Sequence, residues 1–400
     1  MGLNDTPSAE RVHIGFFGCT NSGKSSLVNA VTGQPLSVVS DVKGTTTDPV
    51  KKSMELLPIG PVTIVDTPGY DDTGKLGEKR VAATVKILRN CDVAVLVTVA
   101  GRELLQAEKE LLEIFEKRGI PYLIAANKAD LYTGQISDKE NIIYTSALEK
   151  AGIEELKNAL GKLYKPEKNA LRFVGDIINS GDVVVLVTPI DSAAPKGRLI
   201  LPQQQAVRDI IDSGATAVVT RETELENTLA ALSKKPALVI TDSQVFGFVS
   251  KVVPEDIPLT SFSILMARYK GFLNTAVSGA KKISRLENGS KILISEGCTH
   301  HRQCDDIGTV KLPKWLKQYT NNDFEFEWSS GGGFPSDLSS FDLIIHCGGC
   351  MLNANEMKFR MNSAAEQGVP FTNYGTAIAY MQGILERSVA PIPDIDFKSE

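Results

Sequence analysis

The chain has 400 residues, room for about two to three domains of ordinary size. Its 42% hydrophobic and 23% charged residues exclude a disordered, collagen-like or fibrous protein. With 43 Lys and Arg against 48 Asp and Glu, the formal net charge is −5, so bulk charge does not favour non-specific nucleic-acid binding. The longest apolar runs, at 93–100 and 183–188, fall far short of the roughly 20 residues a membrane helix needs. The opening MGLNDTPSAERVHIGFFG lacks a basic flank followed by an apolar core, so a cytoplasmic protein with no membrane partner is expected.

Residues 11–165 alternate strand-like and helix-like segments. RVHIGFFG reads as a buried strand and GKSSLVNAVTG as the helix after it. PVTIVDT, CDVAVLVTVA, IPYLIAANK and NIIYTSA read as further strands. GRELLQAEKELLEIFEKRG reads as a helix, with Leu104, Leu105, Leu111, Leu112 and Phe115 at helical spacing. KPEKN near 165–169 reads as a linker. From 175 to 265 the alternation returns in GDVVVLVTPI, LPQQQAVRDIIDSG, ATAVVT, LENTLAALSKK and PALVITD. A third segment starts near Arg268 and holds KILISEG, a helix around PKWLKQYT, FEFEW, FDLIIHCGG, a helix through MKFRMNSAAEQG, and PFTNYG. The expected fold class is α/β, with three domains at 1–168, 169–266 and 267–400. Each is expected to have a mainly parallel sheet flanked by helices. The tail SVAPIPDIDFKSE, with Pro391 and Pro393, reads as irregular and mobile.

Gly18-Cys-Thr-Asn-Ser-Gly-Lys-Ser25 matches G-x-x-x-x-G-K-S, after a predicted strand and before a predicted helix. Backbone N–H groups of such a loop and the positive end of the helix cradle phosphates. Gly18, Asn21, Ser22, Gly23, Lys24, Ser25 and Ser26 are therefore the expected phosphate site. Lys24 is expected on the β- and γ-phosphates and Ser25 on Mg²⁺. Asp66-Thr-Pro-Gly69 follows the strand PVTIV; Asp66 is expected to hold Mg²⁺, and Gly69 to donate its N–H to the γ-phosphate. Asn127-Lys128-Ala-Asp130 follows IPYLIAA. A carboxylate there accepts from guanine N1–H and the 2-amino group, a pattern adenine lacks, so GTP and GDP are the expected ligands. Ser146 and Ala147 suit backbone contact with the guanine oxygen. Together these motifs resemble small GTPases of the translation-factor-related class. Gly44-Thr-Thr-Thr-Asp48 resembles the first switch of Era/TrmE-type GTPases, with Thr46 matching the Mg²⁺-ligating threonine and Thr47 where those have Arg. Tyr70 stands where Ras-like enzymes have a water-orienting Gln nearby, so slow intrinsic hydrolysis is expected. Asn21 matches the phosphate-loop Asn that helps TrmE-like enzymes bind K⁺, which implies stimulation by K⁺; a loop-capping Asn is the plainer reading.

Four of six cysteines and three of four histidines fall between 298 and 350. They read Cys298-Thr-His300, then His346-Cys347-Gly-Gly-Cys350, each half after a predicted strand, so the halves can converge at the carboxyl ends of parallel strands. Three readings compete on the residues alone. The cysteines could be structural thiols without metal. Cys298, His300, Cys347 and Cys350 could close a Cys₃His zinc tetrahedron. Three cysteines could hold an iron–sulfur cluster with one iron left for another ligand.

The GTPase signature combined with C-x-H, a gap and H-C-x-x-C resembles the FeFe-hydrogenase maturation GTPase family (HydF), over nearly the whole chain. The resemblance implies a 4Fe–4S cluster on Cys298, Cys347 and Cys350, and a middle domain that mediates homodimerisation. It also implies a scaffold and carrier role for the di-iron subcluster, loaded by two radical-SAM maturases and received by apo FeFe-hydrogenase. The fourth cluster position is expected to be weakly held, by His300 or His346, by water, or by a carboxylate such as Glu296, Asp394, Asp396 or Glu400. Either His could instead donate to a cluster sulfur. Cys304 and His301 have no place in the motif. Lys311, Lys314, Trp315, Lys317 and Tyr319 read as a solvated amphipathic helix rather than a docking face. The rival functions are an Era-type GTPase of RNA or ribosome assembly with structural zinc, and a GTP-driven single-metal chaperone.

Overall fold

The computed structural model describes residues 7–33, 49–70, 84, 86–134, 141–164, 171–189, 199–297, 306–393, 395 and 397. The chain divides into two compact units, Met1–Lys168 and Asn169–Glu400.

The first unit is built on one six-stranded sheet. Its strands are β1 (Val12–Phe17), β2 (Val50–Leu56), β3 (Gly60–Asp66), β4 (Val93–Val99), β5 (Tyr122–Asn127) and β6 (Ile142–Tyr144), in spatial order β2-β3-β1-β4-β5-β6. All neighbours run parallel except β2, which lies antiparallel on β3. Val93 to Val97 in β4 are buried on both faces, as a central parallel strand between helix layers must be. Edge strand β2, reading VKKSMEL, instead alternates half-buried and exposed residues over most of its length. That charged edge carries no apolar run, so the sequence reading passed over it. Helix α1 (Lys24–Thr32) follows β1; α2 (Gln106–Lys117) and α3 (Ile153–Leu163) pack on the sheet. Helix α2 begins later than the sequence suggests, because buried Glu108 turns back to accept from Leu105 N–H at 2.9 Å and caps the helix there.

The second unit holds two four-stranded parallel sheets. One comprises β7 (Val183–Val187), β8 (Thr216–Thr220), β9 (Leu238–Thr241) and β10 (Leu259–Ser261), in order β10-β9-β7-β8. The other comprises β11 (Lys291–Glu296), β12 (Glu325–Ser330), β13 (Leu343–His346) and β14 (Phe371–Asn373), in order β12-β11-β13-β14. The two orders are the same topology. The first strand of each set lies inside, the second flanks it on one side, and the third and fourth lie on the other. Each sheet therefore has a switch point beside its first strand, where chain ends can line a crevice. In the second sheet that point lies between β11 and β13.

Helices α4 (Leu201–Asp212), α5 (Leu225–Ala231), α6 (Phe246–Val252), α7 (Phe262–Tyr269) and α8 (Leu273–Lys281) connect and cover these strands. They are followed by α9 (Leu312–Thr320), α10 (Ala354–Glu366), α11 (Tyr374–Met381) and α12 (Leu385–Val389). The two sheets share one core: Val185, Ile240, Leu265, Ala276, Leu293, Ile344 and Phe371 belong to a single buried cluster. Helix α9 is amphipathic as expected, with Leu312 and Leu316 buried. The tail corrects the expectation of a loose end. Ile392 is buried, and Ile395 and Phe397 pack on the core. Lys281 Nζ lies 4.7 Å from the Phe397 ring centre and donates to its carbonyl at 2.5 Å. The physical reason is that apolar Ile392, Ile395 and Phe397 gain by leaving water, which the prolines do not oppose. Asp394, Asp396 and Glu400 lie outside the described residues.

Candidate functional sites

The first site forms where β1 ends and α1 begins. Gly18 has φ of 146°, and a Cβ there would run into the Val97 carbonyl, so the turn requires glycine. Asn21 is exposed with φ of 61°, and Ser22 is buried with its hydroxyl unpartnered among the described residues. Lys24 is buried and donates to the Cys19 carbonyl at 2.7 Å, curling over the loop it belongs to. Ser25, one residue on, donates its hydroxyl to Asp66 Oδ2 at 2.6 Å across 41 residues of chain. Asp66 is fully buried at the end of β3. Gly69 lies against Thr20 of the loop, and Tyr70 N–H donates to the Gly18 carbonyl at 3.3 Å. Thus the loop and the Asp66–Gly69 motif meet. Thr46 and its neighbours 44–48 lie outside the described residues.

Asn127 ties three segments together. Its amide donates to the Ser22 carbonyl at 3.1 Å, and its oxygen accepts from Ala147 N–H at 3.1 Å. Lys128 takes φ of 60°, which turns the chain into a 3₁₀ turn carrying Asp130. Ser146 donates its hydroxyl to Asp130 Oδ1 at 2.6 Å. A cleft of about 700 Å³ opens here, lined by Gly23, Ser26, Asn127, Lys128, Asp130 and Ala147 among others. Its size and its carboxylate suit a purine nucleoside.

The second site lies at the switch point of the last sheet. Cys347 N–H donates to the Ser295 carbonyl at 2.8 Å, continuing the β11–β13 ladder one step past β13. The Cys347 sulfur accepts from Gly297 N–H at 3.1 Å and from Gly349 N–H at 3.4 Å. Cys298 follows Gly297 directly in sequence, so the strand end that leads to it lies against Cys347. Cys298, His300, His301 and Cys304 lie outside the described residues, and among the described residues no three His, Cys, Asp or Glu side chains gather. Gly349 has φ of 67°, and a Cβ there would meet the Met357 sulfur at 2.6 Å. Burial and neighbouring Cys347 push the Cys350 thiol up to about 11, while Lys270 works against them. Glu296 is buried beside this loop and accepts from the Tyr374 hydroxyl at 3.2 Å.

His346 is wholly buried. Its Nδ1 lies 2.8 Å from the Cys347 carbonyl, and its Nε2 lies 3.0 Å from Arg360 Nη1. A carbonyl only accepts and a guanidinium only donates, so Nδ1 carries the proton and Nε2 offers its lone pair. Burial first, and Arg360 second, bring the ring's pKa down to about 3, so the imidazole is neutral. Both nitrogens are engaged, and in this arrangement His346 has none left for a metal. Sequence reasoning missed Arg360. The signal was present: Met357, Arg360 and Ala364 share one face of α10, so a cation interrupts an apolar stripe. Lys270, buried one turn past Met266, was missed for the same reason.

Comparison with known proteins matches three stretches of the chain. Residues 13–128 match the family described as 50S ribosome-binding GTPase. Residues 173–271 match the hydrogen maturase F dimerization domain, and residues 274–391 the hydrogen maturase F tetramerization domain. The tRNA modification GTPase MnmE of Thermoanaerobacter sp. is 33% identical over 186 residues, covering 44% of this chain and 38% of its own length. GTPase Der of Kosmotoga olearia is 30% identical over 191 residues, covering 43% of this chain and 42% of its own. The chain thus spans less than half the length of these curated relatives. Among solved structures, Aquifex aeolicus Era bound to GDP.AlF4- aligns at 18% identity and TM-score 0.36, covering 52% of this chain and 91% of that one. The G domain of the T. maritima FeoB iron transporter aligns at 24% identity and TM-score 0.31, covering 39% and 99%.

Proposed function

The chain belongs to the hydrogen maturase F family, and from that premise we propose that it is a GTP-hydrolysing scaffold and carrier. It holds a 4Fe–4S cluster and assembles or delivers the di-iron subcluster of FeFe-hydrogenase. Its three working parts are a GTPase domain over 1–168, a dimerisation domain over 169–266 and a cluster domain over 267–400. The observation that carries the cluster reading is Gly297 N–H on the Cys347 sulfur. That contact joins the segment leading to Cys298 with the one holding Cys347 and Cys350, and N–H donors to sulfur suit an anionic iron–thiolate centre.

In the GTPase domain, Lys24 swings from the Cys19 carbonyl to the β- and γ-phosphates. Ser25 and Asp66, already 2.6 Å apart, are with Thr46 the residues that would hold Mg²⁺, and a bound Mg²⁺ would supply charge neutralisation at the phosphates. Gly69 N–H donates to the γ-phosphate. Asn127 keeps the phosphate loop and the loop at Ala147 in register, and Asp130 accepts from the guanine edge. Lys128 flanks the base, and Ser146 orients Asp130. Asn21, exposed on the loop, helps bind K⁺, which stimulates hydrolysis. Nucleotide state orders or releases the segments around Thr46 and Gly69 and so switches partner contacts. The partners are a second copy of the chain, two radical-SAM maturases and the apo-hydrogenase, in the cytoplasm.

In the cluster domain, Cys298, Cys347 and Cys350 supply the thiolates. When bound, the cluster offers one iron without a thiolate, and a weakly held ligand there suits a carrier that must release cargo. Buried Glu296 stands at the end of β11 within this neighbourhood, and His300, a water or a tail carboxylate are the other candidates for the role.

The deciding experiment is anaerobic iron–sulfide reconstitution, with iron, sulfide and zinc measured on wild type and Cys347→Ser. About four irons and four sulfides per chain, lost in the variant, is the expected result. One tight zinc without sulfide overturns it in favour of a zinc-stabilised GTPase.

A further inference from the structure

The cysteine site rests on a buried chain of polar contacts that the iron-binding residues do not themselves explain. Arg360 on α10 is 1% exposed. Its Nε donates to Glu356 Oε1 at 3.0 Å, its Nη2 to the Gly331 carbonyl at 2.5 Å, and its Nη1 to His346 Nε2 at 3.0 Å. His346 passes the constraint on by donating from Nδ1 to the Cys347 carbonyl at 2.8 Å. The ring is also stacked on Phe371, with centres 5.8 Å apart. The Arg360 cation itself lies 5.0 Å from the Phe334 ring centre. A fully buried cation is costly unless every donor is used. Here all three of its nitrogens are engaged, by a strand-end carbonyl, a carboxylate and an imidazole, with the Ser295 hydroxyl 3.5 Å from Nη1.

We infer that Arg360 is a positioning residue for the metal site. Through the His346 ring it fixes the Cys347 carbonyl, and with it the direction in which the Cys347 sulfur faces Gly297 and Gly349. His346 is then a link in the frame and not an iron ligand. The sequence motif cannot distinguish these roles, because H-C-x-x-C places the imidazole next to a thiolate in either case. The geometry distinguishes them, because both ring nitrogens already have partners of opposite hydrogen-bonding character. This inference deepens the proposed cluster reading and rests on it for the identity of the bound group.

The test uses the full chain with Arg360→Leu, Arg360→Lys, His346→Asn and the double variant Arg360→Leu/His346→Asn. The first measurement needs no metal: the rate at which iodoacetamide alkylates Cys347 in the metal-free protein, read by peptide mass analysis. Arg360→Leu is expected to change that rate several-fold, Arg360→Lys to recover part of it, and the double variant to match the stronger single variant. Additive effects, or an unchanged rate in Arg360→Leu, overturn the inference. The second measurement is the midpoint potential and pulsed electron-spin spectrum of the reconstituted protein. Arg360→Leu is expected to lower the potential at unchanged iron content. A nitrogen bound directly to iron in wild type and lost in His346→Asn overturns the inference outright. Should Arg360→Leu fail to fold, His346→Asn carries both measurements, because its amide nitrogen can take the place of Nδ1 against the Cys347 carbonyl while the shorter side chain leaves no acceptor at the Nε2 position that Arg360 meets. Failure of wild type to take up iron and sulfide defeats the cluster reading alone, and the alkylation series still decides whether the chain of contacts positions Cys347.

Discussion

Gly297 N–H lies 3.1 Å from the sulfur of Cys347, fifty residues further along the chain. Strand β12 and helix α9 occupy the interval, so sequence distance becomes contact only because β11 and β13 are neighbours in the sheet. A backbone N–H aimed at sulfur favours the thiolate over the thiol. The same peptide leads directly into Cys298.

The loop from 347 to 350 depends on glycine at one position. Gly349 combines φ of 67° with a Cβ direction blocked by the Met357 sulfur. Gly349→Ala is expected to cost about 1 kcal/mol from the backbone term alone, and to displace Met357 or the loop. Iron content after reconstitution should fall by more than half while the secondary structure, read by circular dichroism, stays native. Full iron content in this variant would contradict a rigid loop.

Asp130 faces the nucleoside cleft with Ser146 on one of its oxygens. An amide at this position can donate where the carboxylate accepts. Asp130→Asn should weaken GDP binding by about tenfold to a hundredfold, the scale of roughly 1.4–2.8 kcal/mol. Affinity for xanthosine diphosphate, which presents an oxygen in place of the 2-amino group, should rise. Titration with the two fluorescent nucleotides checks both directions.

Asn21 stands exposed on the phosphate loop in a left-handed conformation. If its side chain helps hold K⁺, GTP hydrolysis in KCl should exceed that in NaCl by at least tenfold, and Asn21→Ala should remove most of the difference. A ratio unchanged by the substitution would leave Asn21 as a loop-turning residue only.

Asp176 is paired with buried Arg268 through contacts of 2.8 and 2.5 Å. Burial alone would raise its carboxyl, but the Arg268 hydrogen bonds and charge outweigh burial and hold it below the usual value. A folded-state pKa below the unfolded one means that the contribution is present at neutral pH. It begins to fall near the unfolded carboxylate value of about 4 and disappears below the folded one. Asp176→Asn should therefore lower the melting temperature at pH 7 and flatten its decline below about pH 4. Parallel acid limbs for the two proteins would show that the pair contributes nothing to the pH response.

Linear motifs made much of the nucleotide site legible. Gly18 to Ser25, Asp66 to Gly69 and Asn127 to Asp130 each bind through backbone turns written in consecutive residues, and each follows a strand whose apolar run is easy to read. The charged edge strand β2 was not legible, because pairing with β3 supplies what its side chains do not advertise. Helices α7 and α8 were hidden for the opposite reason. Helix α7 is buried nearly all round, as at Ile264 to Arg268, so no polar face marks its period; α8 exposes only the short side chains of Asn274 and Ser278.

The sequence by itself determined that the protein is α/β, that a G-x-x-x-x-G-K-S loop opens its first helix, and that soft metal ligands concentrate near the end of the chain. Only the tertiary structure decided that the last two sheets share one core and that the tail packs on it. It also decided that His346 is locked between Arg360 and a carbonyl. The physical reason is that motifs record which chemical groups lie next to one another in the chain. A buried imidazole's role depends on which donors and acceptors surround it, and for His346 those come from Arg360 on α10 and the Cys347 carbonyl just past β13.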